Sequence, residues 1–255
     1  MLDNIKKEFS TRTLVLIPIA IAINIVVGEL AVRLKLPIYL DSIGTVLVGA
    51  IAGPWAGALT GALSNLIWGL FNPYAAAFFY VAAVIGMMAG LAGKSGAFQN
   101  VSPRWLSTLI GAVFFFSLTM FILAFINAAT DETGFTSFPS MADLFSTYAW
   151  VFVLAILVGG AIGYFLMQGA GYAGLWGLAT GVIAAILSAP MAAYVFGGVT
   201  GSGQDLLVAA FRASGANIVA SVAAQGAVSD PFDKMLSFMI VWLILRSMPA
   251  RLKAR

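Results

Sequence analysis

The sequence predicts an all-α fold: a polytopic transmembrane helical bundle of about eight spans, with one possible re-entrant helix. Three observations predict it. Of the 255 residues, 61% are hydrophobic and only 9% are charged, against roughly 25% charged in a soluble domain. Mean hydropathy is +1.00, and the apolar residues gather in runs of about 20, the length that crosses a bilayer. Those runs lack period-2 alternation, which argues for helices and against a barrel. With no cysteine and no histidine, the chain has no thiolate, no disulfide, no imidazole base and none of the commonest zinc ligands. Neither cofactor nor nucleic-acid partner is expected, and an enzyme is not expected either, because no paired intramembrane carboxylate motif stands out.

Taken in order, residues 1–12 (MLDNIKKEFSTR) are polar and amphipathic and lead into a full apolar span without a small-residue cleavage pattern, so they read as a retained cytoplasmic leader. Apolar segments follow near 13–33, 43–70, 74–93, 105–127, 147–167 and 173–197, and a last one lies at 232–248. The run 43–70 is the ambiguous one. As a single helix it would be about 40 Å long, too long for an upright span. Pro54 lacks an amide donor and clashes with the preceding turn, so two helices, 43–52 and 54–70, are expected to meet at Gly53-Pro54.

The distribution of basic residues supports that break, because Lys and Arg favour cytoplasmic loops. With the reversal, Lys6, Lys7, Arg12, Lys94, Arg104, Arg246, Arg251, Lys253 and Arg255 all fall inside, and Asp131, Glu132 and Asp143 fall in an outer loop, 128–146. The same count leaves 198–231 outside, so its polar stretch 204–226 is expected to re-enter or lie on the surface. The organisation is then one transmembrane domain: leader 1–12, seven spans over 13–197, the outer segment 198–231, and the last helix with its basic tail over 232–255. Both termini are expected in the cytoplasm of a bacterial or archaeal cell (inner) membrane.

Polar residues inside spans are costly and mark site or packing roles. Asn65, Trp68 and Asn72 follow one another at i, i+3 and i+7, hence on one helix face. That face opens toward the same side as Tyr39 and Asp41, with Tyr74 and Tyr80 at the start of the next helix. Amides, a carboxylate and aromatic rings suit a flat heteroaromatic ligand. The alternatives are structural: Asp41-Ser42 as an N-cap for the short helix, and Trp68, Tyr74, Tyr148 and Trp150 as an aromatic belt. Gly197, Gly198, Gly201 and Gly203 before Asp205 form a turn whose amides can cradle an anion. Arg212 is read as facing solvent or the interface, and Asn217 and Gln225 as lining any re-entrant cavity. Glu29 and Arg33 are spaced as an ion pair. Ala20, Asn24 and Gly28, four apart, form a small or polar ladder that allows close helix approach, within the bundle or to a partner. All carboxylates are read as lying near helix ends or in loops.

Leu40-Asp41-Ser42-Ile43, then Gly49-Ala50-Ile51-Ala52-Gly53-Pro54, then Ala56-Gly57 through Ser64-Asn65-Leu66 resemble the substrate-binding S component of energy-coupling factor (ECF) vitamin transporters. The close, Asp233-Lys234 through Leu243-Ile244-Leu245 to Pro249-Ala250-Arg251-Leu252, is similar to the last helix and basic tail of many such proteins. The resemblance covers 13–93 and, less fully, 230–255. It implies a small helical protein that binds a vitamin or related micronutrient near the outer face, under the loop after the first helix, and that has no ATPase of its own. Such a protein docks on a transmembrane coupling subunit driven by two ABC-type ATPases. The pocket would draw on Tyr39, Asp41, Ser42, Asn65, Trp68, Asn72 and Tyr74. The docking face would be Ala20, Asn24 and Gly28, where the family's Ala-x-x-x-Ala pattern has Asn24 in place of an alanine. Eight spans exceed the family's usual six. The competing classes are a solitary membrane facilitator or carrier for a small organic solute, and a sensor module, which is disfavoured because the short basic tail after residue 248 is not expected to be an output domain.

Overall fold

The computed structural model describes residues 2–127, 129–130, 136–137 and 139–248. The expectations for Asp131, Glu132, Arg251, Lys253 and Arg255 lie outside the described residues. The chain is helical almost throughout. A short helix α1 (Leu2–Glu8) leads into α2 (Thr11–Arg33). There follow α3 (Ile43–Ala52), α4 (Pro54–Trp68), the short α5 (Pro73–Ala77) and α6 (Phe79–Lys94). Next come α7 (Arg104–Ile126), a small antiparallel ladder of β1 (Ala129–Thr130) with β2 (Thr136–Ser137), and α8 (Met141–Phe165). The rest is α9 (Gly171–Pro190), which runs into a π-helical turn at Met191–Val195, then α10 (Asp205–Ala213) and α11 (Ile218–Ser247).

Four of the described helices are long and apolar enough to cross a membrane: Thr11–Arg33, Arg104–Ile126, Ala142–Phe165 and Gly171–Val195. The count of about eight spans is therefore not supported. The shortfall has two physical sources. Helices α3, α4 and α6 are individually short, at 10, 15 and 16 residues. Helix α11 is long enough at 30 residues but carries Asp230, Asp233 and Lys234 in its middle.

The expected break at Gly53-Pro54 is present, and α3 and α4 form an antiparallel hairpin. Gly53 has φ +128°, a backbone conformation that a side chain resists. Pro54 opens α4 at its first turn, where no amide donor is needed. Glu8 reaches this turn: its Oε2 accepts from the Trp55 and Ala56 amides at 2.8 and 3.2 Å, and its Oε1 accepts from Lys94 Nζ at 2.9 Å. A carboxylate so placed satisfies orphan amides and complements the α4 dipole. The leader is thus tied to the hairpin.

Small residues set the close helix approaches. A Cβ on Gly57 would meet the Gly86 carbonyl, and one on Gly86 would meet the Gly57 carbonyl, so α4 and α6 touch backbone to backbone. Helix α9 meets α11 in the same way, Gly177 against Met235 and Gly181 against Pro231. Such contacts replace hydrophobic driving force, which is lacking between helices in lipid, with packing. The outer face of α2, including Leu14, Val15, Ile19, Val26 and Leu30, is exposed and apolar.

The C-terminal region departs from expectation. The segment 198–231 is not one outer element: its polar stretch splits into α10 and about the first two and a half turns of α11, which continues unbroken through Pro231 to Ser247. The polar residues that made 232 look like a helix start are turned inward, so the helix has no reason to end there.

Candidate functional site

The reversal at Gly53 places the C-terminus of α4 beside that of α2, at the end of the bundle where α3 begins. A cavity of about 100 Å³ opens here, bounded by α4, α6, α9 and α11 and roofed by the loops 34–42 and 197–204. All seven residues named from sequence for a pocket, Tyr39, Asp41, Ser42, Asn65, Trp68, Asn72 and Tyr74, line it. Tyr80 does not; its hydroxyl donates to the Leu187 carbonyl at 2.9 Å. Tyr148 donates to Asn127 Oδ1 at 2.7 Å and Trp150 is exposed, both away from the cavity.

Trp68 is oriented from below and behind. Its Nε1 donates to Glu29 Oε2 at 3.1 Å, and Glu29 also pairs with Arg33 at 2.8 Å, as the spacing suggested. A Cβ on Gly28 would come within 2.7 Å of the indole, so only glycine leaves room for the ring. Phe78, Val81 and Ile85 supply an apolar wall. Tyr74 stacks edge-on against Phe196, with centroids 5.1 Å apart, just beyond the π-helical turn. Local π geometry recurs at functional sites, and here it swings Ala192 onto the cavity wall.

The N-cap assignment of Asp41-Ser42 is corrected. Ser42 caps α3 by position but makes no side-chain cap hydrogen bond. The capping acceptor is Asn24, whose Oδ1 takes the Gly44 amide at 2.7 Å while its Nδ2 donates to Thr45 Oγ1 and Ser64 Oγ at 2.8 and 2.9 Å. The docking assignment of Ala20, Asn24 and Gly28 is corrected by the same geometry. Ala20 and Asn24 are 0% and 1% exposed and Gly28 is buried, all three facing α3 and α4. They hold the bundle together and offer no surface to a partner.

Sequence reasoning missed the ionic centre of the site. Lys234, buried on α11, bonds Asp233 Oδ2, Asp41 Oδ1 (3.2 Å) and Ser42 Oγ (3.3 Å). Asp233 Oδ1 accepts the Leu40 amide at 2.8 Å, tying the loop 34–42 to α11. One turn earlier, Asp230 is 7% exposed and also lines the cavity. The reading that all carboxylates sit near ends or in loops is therefore wrong for Asp230 and Asp233. The i, i+3, i+4 spacing of Asp230, Asp233 and Lys234 was the available signal. A helix boundary drawn at 232 hid it.

The two roof loops are bound to each other. Lys35 Nζ donates to the Gly201 carbonyl at 2.7 Å, and Ser202 Oγ donates to Tyr39 Oη at 3.3 Å. Desolvation pushes the Tyr39 phenol up to about 12, so it stays neutral at ordinary pH. The glycine-rich turn does cradle an anion, but its own. Asp205 accepts from the Thr200 and Gly201 amides at 2.9 and 2.7 Å, which leaves those amides nothing for a ligand. Gln225 is buried on the cavity wall, Arg212 is exposed, and Asn217 is the exposed N-cap of α11, accepting from the Ala220 amide. Gln225 Nε2 donates to Gln204 Oε1 and Ser229 Oγ, while Gln204 Nε2 has no partner among the described residues.

Chemically, the site offers an aromatic wall, an amide at Asn65, and a carboxylate-rich floor, all within an apolar bundle in which four of the described helices are of membrane length. No protein-family model, curated protein or solved structure matches this chain.

Proposed function

We propose that this protein is a membrane subunit that binds a small organic micronutrient in the roofed cavity and passes it inward, as the S component of an ECF-type ABC importer. The observation that carries the proposal is the convergence of Tyr39, Asp41, Asn65, Trp68 and Tyr74 on one cavity at a single end of an apolar bundle. Concave, mostly apolar sites with a few directed polar groups are the usual form of small-molecule sites. The size favours a compact ligand: an engineered cavity of about 150 Å³ takes benzene, and this one, at about 100 Å³, takes one ring at most. A pyrimidine-sized molecule suits the cavity better than a corrinoid.

In this proposal the cavity faces outward, both termini are cytoplasmic, and α3, α4, α6 and α11 cross the bilayer with the four longer helices. Short helices at membrane depth are tolerated where protein covers them or a cavity adjoins them. The protein does no chemistry on its ligand. The partners are a transmembrane coupling subunit and two ABC-type ATPases, and the membrane is a bacterial or archaeal cell membrane. Because Ala20, Asn24 and Gly28 are buried, the coupling subunit must use another face.

A second reading, a solitary carrier, draws support from the buried Asp230, Asp233 and Lys234, since intramembrane ionisable groups mark ion and proton pathways. One experiment separates the two. Affinity purification from the native membrane should bring down the coupling subunit and ATPases, and uptake into proteoliposomes should require them and ATP. Uptake by the isolated protein, driven by a pH gradient, would favour the carrier instead.

A further inference from the structure

We infer that the ligand is a small organic cation, one ring wide, whose positive head sits on Asp230. The inference rests on the proposed binding role of the cavity and names the class of molecule that fills it.

Charge is the first argument. Three carboxylates, those of Asp41, Asp230 and Asp233, surround a single ammonium, Lys234. Lys234 is committed to Asp233, Asp41 and Ser42. Asp233 is further satisfied by the Leu40 amide. Among the described residues, Asp230 receives only a long contact from Ser229 Oγ, at 3.5 Å. The other nearby cation, Lys35, is exposed and turned to the Gly201 carbonyl, and Asp205 is absorbed by its own loop. A buried carboxylate without a strong partner is costly, and this one borders open cavity.

The second argument is independent of charge. Gln204 is 3% exposed and lines the cavity, yet its Nε2 has no hydrogen-bond partner among the described residues. It stands at one end of a chain, Gln204–Gln225–Ser229, whose Ser229 hydroxyl donates to the Gln225 carbonyl at 3.0 Å and so gives the adjoining Asp230 no more than the 3.5 Å contact. Gln204 has a spare donor, and Asp230, beside the far end of the chain, a spare acceptor. A ligand that completes it brings a donor or cation to Asp230 and an acceptor atom to Gln204. Trp68 and Tyr74 line the same cavity, and aromatic faces attract cations.

A charge series of one shape tests the assignment: benzamidine, benzamide and benzoate, titrated by calorimetry into the full-length protein in detergent. Benzamidine should bind at least about tenfold tighter than benzamide, with benzoate weakest. In Asp230→Asn, which keeps the shape, the first two should come within about a factor of two of each other. The wild-type series stands even if that variant does not fold. Tighter binding of benzamide or benzoate would overturn the cation assignment and leave the binding role intact. If none of the three binds at millimolar concentration, the cation assignment falls, while the binding role is still tested by the small molecule the purified protein retains.

Discussion

Replacing Asn24 by leucine, close in volume but without polar atoms, should unfasten three elements at once. The side chain makes hydrogen bonds of 2.7, 2.8 and 2.9 Å to Gly44, Thr45 and Ser64. Within membrane proteins such bonds contribute about 0.6 kcal/mol each, and up to about 1.7. The sum is roughly 2 kcal/mol. The Gly44 amide adds to it. It lies in the first turn of α3, has no intrahelical acceptor, and is packed against the Ala20 backbone too closely to admit even a Cβ. Stranding a buried donor costs about 1–3 kcal/mol. Together these give a loss of about 3–5 kcal/mol, measured as the shift in the SDS-induced unfolding curve of the protein in mixed micelles. Ser64→Ala, which removes one of the three bonds, should cost about 1 kcal/mol or less. A loss below about 1 kcal/mol for Asn24→Leu would refute the assignment of Asn24 as the cap and clasp of α2, α3 and α4.

Gly86→Ala should destabilise by about 1–3 kcal/mol in the same assay, because its Cβ would enter the Gly57 carbonyl and force α4 from α6. Lys234→Met should cost about 3–5 kcal/mol by leaving the buried Asp233 and the partly buried Asp41 without their cation, and the further change Asp233→Asn should recover part of that loss. Gly28→Trp should abolish ligand binding and uptake together, because a side chain there meets the Trp68 ring. Loss of uptake with binding intact would instead return the α2 ladder to a docking role.

Much of the N-terminal half was legible because backbone chemistry punctuates it. Gly53-Pro54 favours a turn or break, and the i, i+3 spacing of Asn65 and Trp68 gives the side they share on α4; Asn72, expected on the same helix face, lies beyond the end of α4 as the N-cap of α5 and reaches the cavity from the loop. The seven residues read as a pocket therefore do border one cavity. The C-terminal half was illegible for the opposite reason. Asp230, Pro231 and Asp233 look like a helix boundary in one dimension, but a polar face turned to a cavity lets a helix run straight through. Asn24 misled in the same manner: spacing shows that it shares a face with Ala20 and Gly28 but cannot say whether that face meets a partner or the chain's own α3. The anion cradle was correctly placed in the glycine-rich turn, and only tertiary geometry identifies Asp205 as its occupant.

Native mass spectrometry of the full-length protein, purified in mild detergent from cells grown in rich medium, bears most directly on the cavity as a ligand site. The wild type should retain a small organic molecule that Asp41→Ala and Asn65→Ala, still folded by circular dichroism, release. Retention of the same molecule by both variants would contradict the site as drawn.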